Sequence, residues 1–339
     1  MSTTNIPKGE QRLFTVQLLN WIEEELDKEA EDFNLIALDN QYHRVPNLCF
    51  GEHKYVNLSA DTRIERHNTV RFGDERELER ATQEGRRDLF FVLRPEPFTK
   101  MPAQCSISQA AEEMQATIVA WEASEKCRNL ITAIESVAMP PIDNIIAFGL
   151  GSISARSSRR SHQREHALAM TIARTLEKKN PSSKIPIYLQ DPDYSFVCKL
   201  LLLEMGFQVI DGHGARGFTM INERTLVMSH NASIPIREVI ADTSRPAVLY
   251  CKPEIPQEEH NKDEHNAHLA NSMKDMDSVR TKRMMTEYDF VPIPGASLSH
   301  YAYYDYNNRV RGQGKDGEPF GNSVLYVRKH AYASQPFQP

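Results

Sequence analysis

Between residues 142 and 252, short apolar runs alternate with segments long enough to form a helix, and this alternation limits the fold more than any other feature of the chain. The runs at 144–148, 185–190, 207–210, 225–229 and 247–251 have the length and apolar character of buried strands. Helix-length segments at 162–178 and 194–205 and a short one at 236–241 lie between them, the first placing Leu168, Ile172 and Leu176 on one face. Gly206 stands where the second should end. Strands joined by helix-length crossovers run parallel, because a two-residue turn can only reverse the chain. The expected fold class is therefore α/β: a Rossmann-like, doubly wound, mostly parallel sheet with a helical N-terminal extension and an irregular C-terminal tail.

The flanks carry weaker patterns. Residues 11–29 read as an amphipathic helix, with Phe14, Leu18, Ile22 and Leu26 at four-residue spacing and Trp21 beside them. Two apolar pieces follow, 35–38 and 88–93, separated by a stretch dominated by charge and amide side chains; the second stops at Pro95, which bars a central strand. Residues 1–105 are thus expected to be an accessory, partly ordered region. Ser106-Ile107-Ser108-Gln109 is a capping-box pattern that should open one long helix, striped by Ile107, Ala111, Met114, Ile118 and Trp121, then by Cys127, Leu130, Ile131 and Ile134, and ended by Pro140-Pro141. Past 252 a charged insert gives way to a tail rich in Tyr, Pro and Gly, with one strand at 324–327; the main domain is expected to span 106–252, and 253–339 to be partly disordered.

Composition narrows the function classes. The chain has 339 residues, of which 40% are hydrophobic, and a mean hydropathy of -0.52, so part of it should pack poorly. The net charge of -6 is spread over interspersed acids and bases, which argues against nucleic-acid or anionic-membrane partners, since both need clustered basic residues. No run approaches the ~20 apolar residues of a membrane span, and residues 1–12 lack a secretory apolar core. Five scattered cysteines, Cys49, Cys105, Cys127, Cys198 and Cys251, form no CxxC pair, so neither a disulfide framework nor a cysteine zinc site is indicated. A reducing compartment, cytoplasm or nucleus, is expected.

Several groups of residues are weighed for chemistry. Gly149-Leu150-Gly151-Ser152-Ile153-Ser154 follows the first strand with the spacing of G-x-G-x-x-G, Ser154 standing at the third position. Such a turn opening a helix offers backbone N–H groups to an anionic ligand; the alternative is that the glycines only shape a tight turn. Arg156, Arg159 and Arg160 just beyond either clamp phosphate or form a solvated loop. Asp191 follows the second strand, where an acid can accept from a ribose hydroxyl; alternatively Asp191 or Asp193 caps the next helix. Ser229-His230-Asn231 closes the fourth strand, and His230 is the candidate acid or base, or else a helix cap. His162-Gln163-Arg164-Glu165-His166 matches H-x-x-E-H, a zinc-peptidase pattern, but its place in a crossover helix is not that context. Glu238 and Asp242 are distant third ligands that nothing singles out, so no metal is expected. His260, His265 and His268 lie in the charged insert and read as solvated.

Read in order, the glycine turn, Asp191-Pro192 and the His230 strand end resemble the Sensitivity-to-Red-light-Reduced (SRR-like) domain family over residues 142–252. Glu165-His166-Ala167-Leu168 and the aromatic Tyr194 and Phe196 extend the resemblance; the long flanks and Arg245-Pro246-Ala247-Val248 look like its fungal branch. Two positions depart from the family pattern: Ser229-His230-Asn231 replaces Pro-His-Cys, and Glu165 replaces a glutamine. The resemblance implies the fold and a role in signalling, since members are associated with light and clock signalling, cytoskeletal drug sensitivity and haem regulation, with no settled chemistry. The leading expectation is a regulatory protein binding a nucleotide-type small molecule through Gly149, Gly151, Ser152, Ser154, Asp191 and His230. The alternatives are an enzyme of methyltransferase or oxidoreductase type and a ligand-free scaffold whose N- and C-terminal extensions bind a protein partner.

Overall fold

The computed structural model describes residues 12–38, 40–51, 55–59, 62–86, 90–100, 103–155, 159–181, 183–229, 232–253, 278–295 and 323–329. Thr15 accepts from the Leu18 N–H and caps α1 (Val16–Asp27), which buries Leu19, Ile22 and Leu26. β1 (Asp32–Ile36) and β2 (Tyr42–Pro46) form an antiparallel pair. A second small sheet has the order β3-β4-β5, from β3 (Tyr55–Ser59), β4 (Thr62–Phe72) and β5 (Leu93–Lys100), with α2 (Glu75–Gln83) between the last two. β5 runs on through Pro95 and Pro97, past the stop expected at Pro95, but as an edge strand and not a central one: it pairs with β4 on one side only, so a proline's missing N–H need not break a ladder. The N-terminal third, expected to be an accessory region, packs on the main sheet. Its described residues are folded and share a core with the main sheet.

α3 (Ile107–Glu122) begins where the capping pattern placed it, Ser106 Oγ accepting from the Gln109 N–H. The single long helix expected here is two. The chain breaks at Ser124, whose side chain accepts from the Cys127 N–H and caps α4 (Glu125–Ser136), so a second stripe starts with a new phase. Then come β6 (Asn144–Phe148), α5 (Arg159–Lys179), β7 (Ile187–Gln190), α6 (Phe196–Glu204), β8 (Gln208–Val209), α7 (Arg216–Thr219), β9 (Thr225–Ser229), α8 (Ile236–Thr243) and β10 (Val248–Cys251). After 252 the chain returns to the sheet: α9 (Val279–Met285) leads to β11 (Tyr288–Val291), and β12 (Val324–Arg328) inserts between β10 and β11.

The sheet order is β11-β12-β10-β9-β6-β7-β8. β6 to β10 are parallel and β12 is antiparallel to both its neighbours. Counted along the chain from β6, the seven strands run 3-2-1-4-5-7-6, a doubly wound order with its direction reversing between β6 and β9. The expected domain end at 252 cut this sheet two strands short, because the charged insert conceals a return to the same core.

Period-two alternation sends neighbouring residues to opposite faces. Ile145 and Ala147 of β6 join one core with Leu168, Ile172, Trp121 and Leu130 of the helix layer α3–α6. Ile146 and Phe148 join the other, with Phe14, Ile22 and Phe33 of the N-terminal region, Val239 of α8 and Met284 of α9. Phe148 stacks on Phe218 at 4.5 Å between ring centroids, and each such fully buried side chain contributes about 1.5–3 kcal/mol. The N-terminal region is therefore the second layer that a doubly wound sheet requires.

Candidate functional site

The strand order reverses between β6 and β9, the place where a doubly wound sheet carries its ligand crevice. β6 ends in the glycine turn. Gly149 and Gly151 have φ of 69° and 76°, a region that side chains enter at a cost. A Cβ on Gly149 would lie 2.8 Å from Ala232 Cα, and one on Gly151 would lie 2.5 Å from the His162 ring. The chain's own packing therefore requires both glycines. The Gly149 N–H donates to the Gln190 carbonyl at 3.1 Å, and the Gly151 N–H to Asp191 Oδ2 at 2.7 Å. α5 starts at Arg159, three residues ahead of the helix expected from 162, so Arg159 and Arg160 belong to the helix and not to a loop.

The Ser152 and Ser154 hydroxyls meet other side chains of the protein. Both are buried. Ser152 Oγ is 3.0 Å from Cys198 Sγ; Ser154 Oγ is 3.1 Å from the same sulfur and 3.0 Å from Ser195 Oγ. These contacts tie the turn to the first turn of α6. Ser195, not Asp191 or Asp193, caps that helix by accepting from the Cys198 N–H. Asp191 is left half-buried at the end of β7, its other oxygen accepting from the Asp193 N–H at 2.9 Å. Burial pushes its carboxyl up to about 6, against the opposing pull of the two backbone N–H groups. Ser229 closes β9 beside Phe148; His230 and Asn231 lie outside the described residues.

The H-x-x-E-H residues come to this same edge but divide their roles. His162 Nδ1 lies 3.0 Å from the Ser152 carbonyl. In His166, Nδ1–H donates to the His162 carbonyl at 2.7 Å while Nε2 accepts from the Tyr194 hydroxyl at 2.9 Å, the tautomer those partners require. Burial pushes His166 down to about 4, so it is neutral at physiological pH. Glu165 is fully buried, and its Oε2 has no hydrogen-bond partner. Burial, then the charge of Asp191, hold its carboxyl well above the usual range, with Lys252 opposing. Among the described residues no three His, Cys, Asp or Glu side chains gather as a metal site. Glu238 and Asp242 belong to the other face, where both bind Arg280. Arg160 is exposed; Arg156, the Arg159 side chain, His260, His265 and His268 lie outside what is described. Sequence reasoning did not foresee Glu165 as a site residue, although a charge beside the apolar Ala167-Leu168-Ala169 run was the signal.

The family model of the SRR1 domain matches residues 116–319, more than half of the chain. The chain belongs to the SRR1 domain family. Its SRR1 domain thus extends well past residue 252 and includes α9 and β11. Among solved structures it is similar to a chain of the Haloferax volcanii complex containing the Trm112 methyltransferase activator: 14% identity, TM-score 0.30, covering 66% of this chain and 97% of that one. It is also similar to human N-acetylserotonin methyltransferase in complex with SAM: 11% identity, TM-score 0.31, covering 66% and 56%. The fold assignment rests on the strand order rather than on likenesses at this level. No curated protein sequence matches the chain. Among the described residues of this SRR1 protein, no helix is long and apolar enough to cross a membrane.

Proposed function

We propose that this SRR1 domain binds a nucleoside-type ligand at the carboxyl edge of the sheet, where β6 and β9 diverge. One observation carries the reading. Asp191 stands at the end of β7 with its carboxylate fixed by the Gly151 and Asp193 N–H groups, yet half-buried rather than sealed. Each carboxylate oxygen accepts one bond there and retains a lone pair, enough to receive the two hydroxyls of a ribose.

The same geometry disfavours phosphate. An N–H that would face a pyrophosphate is already taken by a carboxylate, and a phosphate at the turn would meet that negative charge at close range. Gly149 and Gly151 shape the wall of the crevice, and His230, one residue beyond β9, is the candidate acid or base should the site turn a substrate over. The order 3-2-1-4-5-7-6 with an antiparallel seventh strand is also that of Rossmann-like methyltransferases. That fold-level analogy makes S-adenosylmethionine the first ligand to try. Binding without turnover fits the regulatory role that the family resemblance implies.

Titration calorimetry of the full chain against S-adenosylmethionine, S-adenosylhomocysteine, adenosine, NAD and NADP tests the reading. Binding of an adenosine-bearing ligand is expected, weakened about tenfold or more in Asp191→Asn, since the amide cannot accept at both positions. A folded wild-type chain that binds none of them contradicts it.

A further inference from the structure

Glu165 lies on the second turn of α5, 1% exposed, with Oε2 unpartnered. The charges that reach it come from both sides of the strand reversal: Asp191 beyond β7 and Lys252 beyond β10. β6 and β9, where the strand order reverses, lie between those two strands. Among the described residues, nearby donors and acceptors on this edge are engaged elsewhere. The Gly151 N–H is taken by Asp191, the Tyr194 hydroxyl donates to His166, and both His166 nitrogens are in use. A buried carboxyl left in this state is costly whether neutral or charged, and native chains keep such groups where something binds.

We infer that the ligand carries a cationic group, an ammonium or sulfonium, received by the Glu165 carboxylate while Asp191 holds the sugar hydroxyls. The inference rests on the proposed nucleoside site and names the chemistry of its occupant. Two carboxylates that feel each other across a crevice are both relieved by one positive charge between them, whereas a neutral donor satisfies a single lone pair. Asp191 is half-buried and Glu165 is sealed, so the cation should lie deeper than the sugar.

Matched pairs of probes separate this inference from its foundation: 5′-amino-5′-deoxyadenosine against adenosine, and S-adenosylmethionine against S-adenosylhomocysteine. Calorimetry on the full chain should show the cationic member of each pair binding about tenfold or more tighter. Glu165→Gln, which keeps shape and loses charge, should abolish that preference, and Glu165→Leu serves as the second variant if the first does not fold. Asp191→Asn should weaken both members of a pair together and leave much of the preference in place. Equal binding of both members by the wild type, or a preference that survives in Glu165→Gln, overturns the cation inference and leaves the nucleoside site standing. Failure of every probe to bind overturns both.

Discussion

The two faces of the sheet treat buried carboxylates in opposite ways. On the N-terminal side, Glu23 accepts from the N–H groups of His213, Ala215 and Arg216 at 2.8, 2.6 and 3.1 Å. Asp242 accepts from the Leu13 and Phe14 N–H groups and from Arg280, and Glu238 accepts from the Glu75 N–H and again from Arg280. Each of these joins segments more than a hundred residues apart in the chain. They are struts. At the carboxyl edge, Asp191 is fixed by two amides but remains half-buried, and Glu165 Oε2 has no hydrogen-bond partner. Burial alone therefore does not mark a site: a buried carboxylate tied to distant backbone is a strut.

Breaking the best-satisfied strut should have the largest effect. Arg280→Ala leaves Glu238 and Asp242 facing each other without a counter-charge, and urea denaturation should show a loss of about 3–5 kcal/mol. Glu23→Ala strands three backbone N–H groups in the 213–216 loop and should lose about 2–3 kcal/mol, with faster hydrogen exchange confined to that loop. Next come the glycines. Gly149→Ala combines a positive φ with a 2.8 Å approach to the Ala232 backbone and should cost about 2 kcal/mol in thermal melts, whereas Gly206→Ala, whose added Cβ meets nothing within 4 Å, should cost about 1 kcal/mol.

The smallest effect has the opposite sign. Glu165 keeps its proton in the folded chain to a pH at which the unfolded chain, with the ordinary value of 4.5, has released it. The folded state then binds more protons, so stability falls as pH rises above about 4.5. Glu165→Gln removes that loss. Its melting temperature should equal the wild type's near pH 4 and exceed it by a few degrees near pH 8. His166 acts on the acid limb: held down to about 4, it takes up a proton more readily unfolded, and stability should fall from about pH 6.5 toward pH 4. A Glu165→Gln variant less stable than wild type at pH 8 would place Glu165 among the struts.

The comparison also explains what could be read in the sequence. β6, β7, β9, β10 and the helices between them were legible because apolar periodicity is local, and Leu168, Ile172 and Leu176 are buried as that period required. The glycine turn and Asp191 were legible as neighbours, being placed at consecutive strand ends by the fold class itself. Their hydrogen bond was not, since it depends on how far apart two loops pack. The inward turn of Ser152 and Ser154 depended on Cys198 and Ser195, more than forty residues away. The strand at 324–327 was legible and is β12, but its place in the sheet was not, and β11 stayed hidden because Tyr288–Val291 is four residues long and a long polar stretch separates it from β12. The N-terminal layer was misjudged for a similar reason: its ordering comes from Asp242, Arg280 and the apolar surface of a distant sheet, none of which its own composition advertises.

Amide hydrogen exchange of the full chain, with and without saturating S-adenosylmethionine, sets the two regions against each other in one experiment. Slower exchange limited to residues 149–154 and 191–195, with 13–14 and 213–216 unchanged, is the predicted result. Protection centred on the Glu23 and Arg280 struts instead, or none anywhere, would contradict a ligand site at the carboxyl edge.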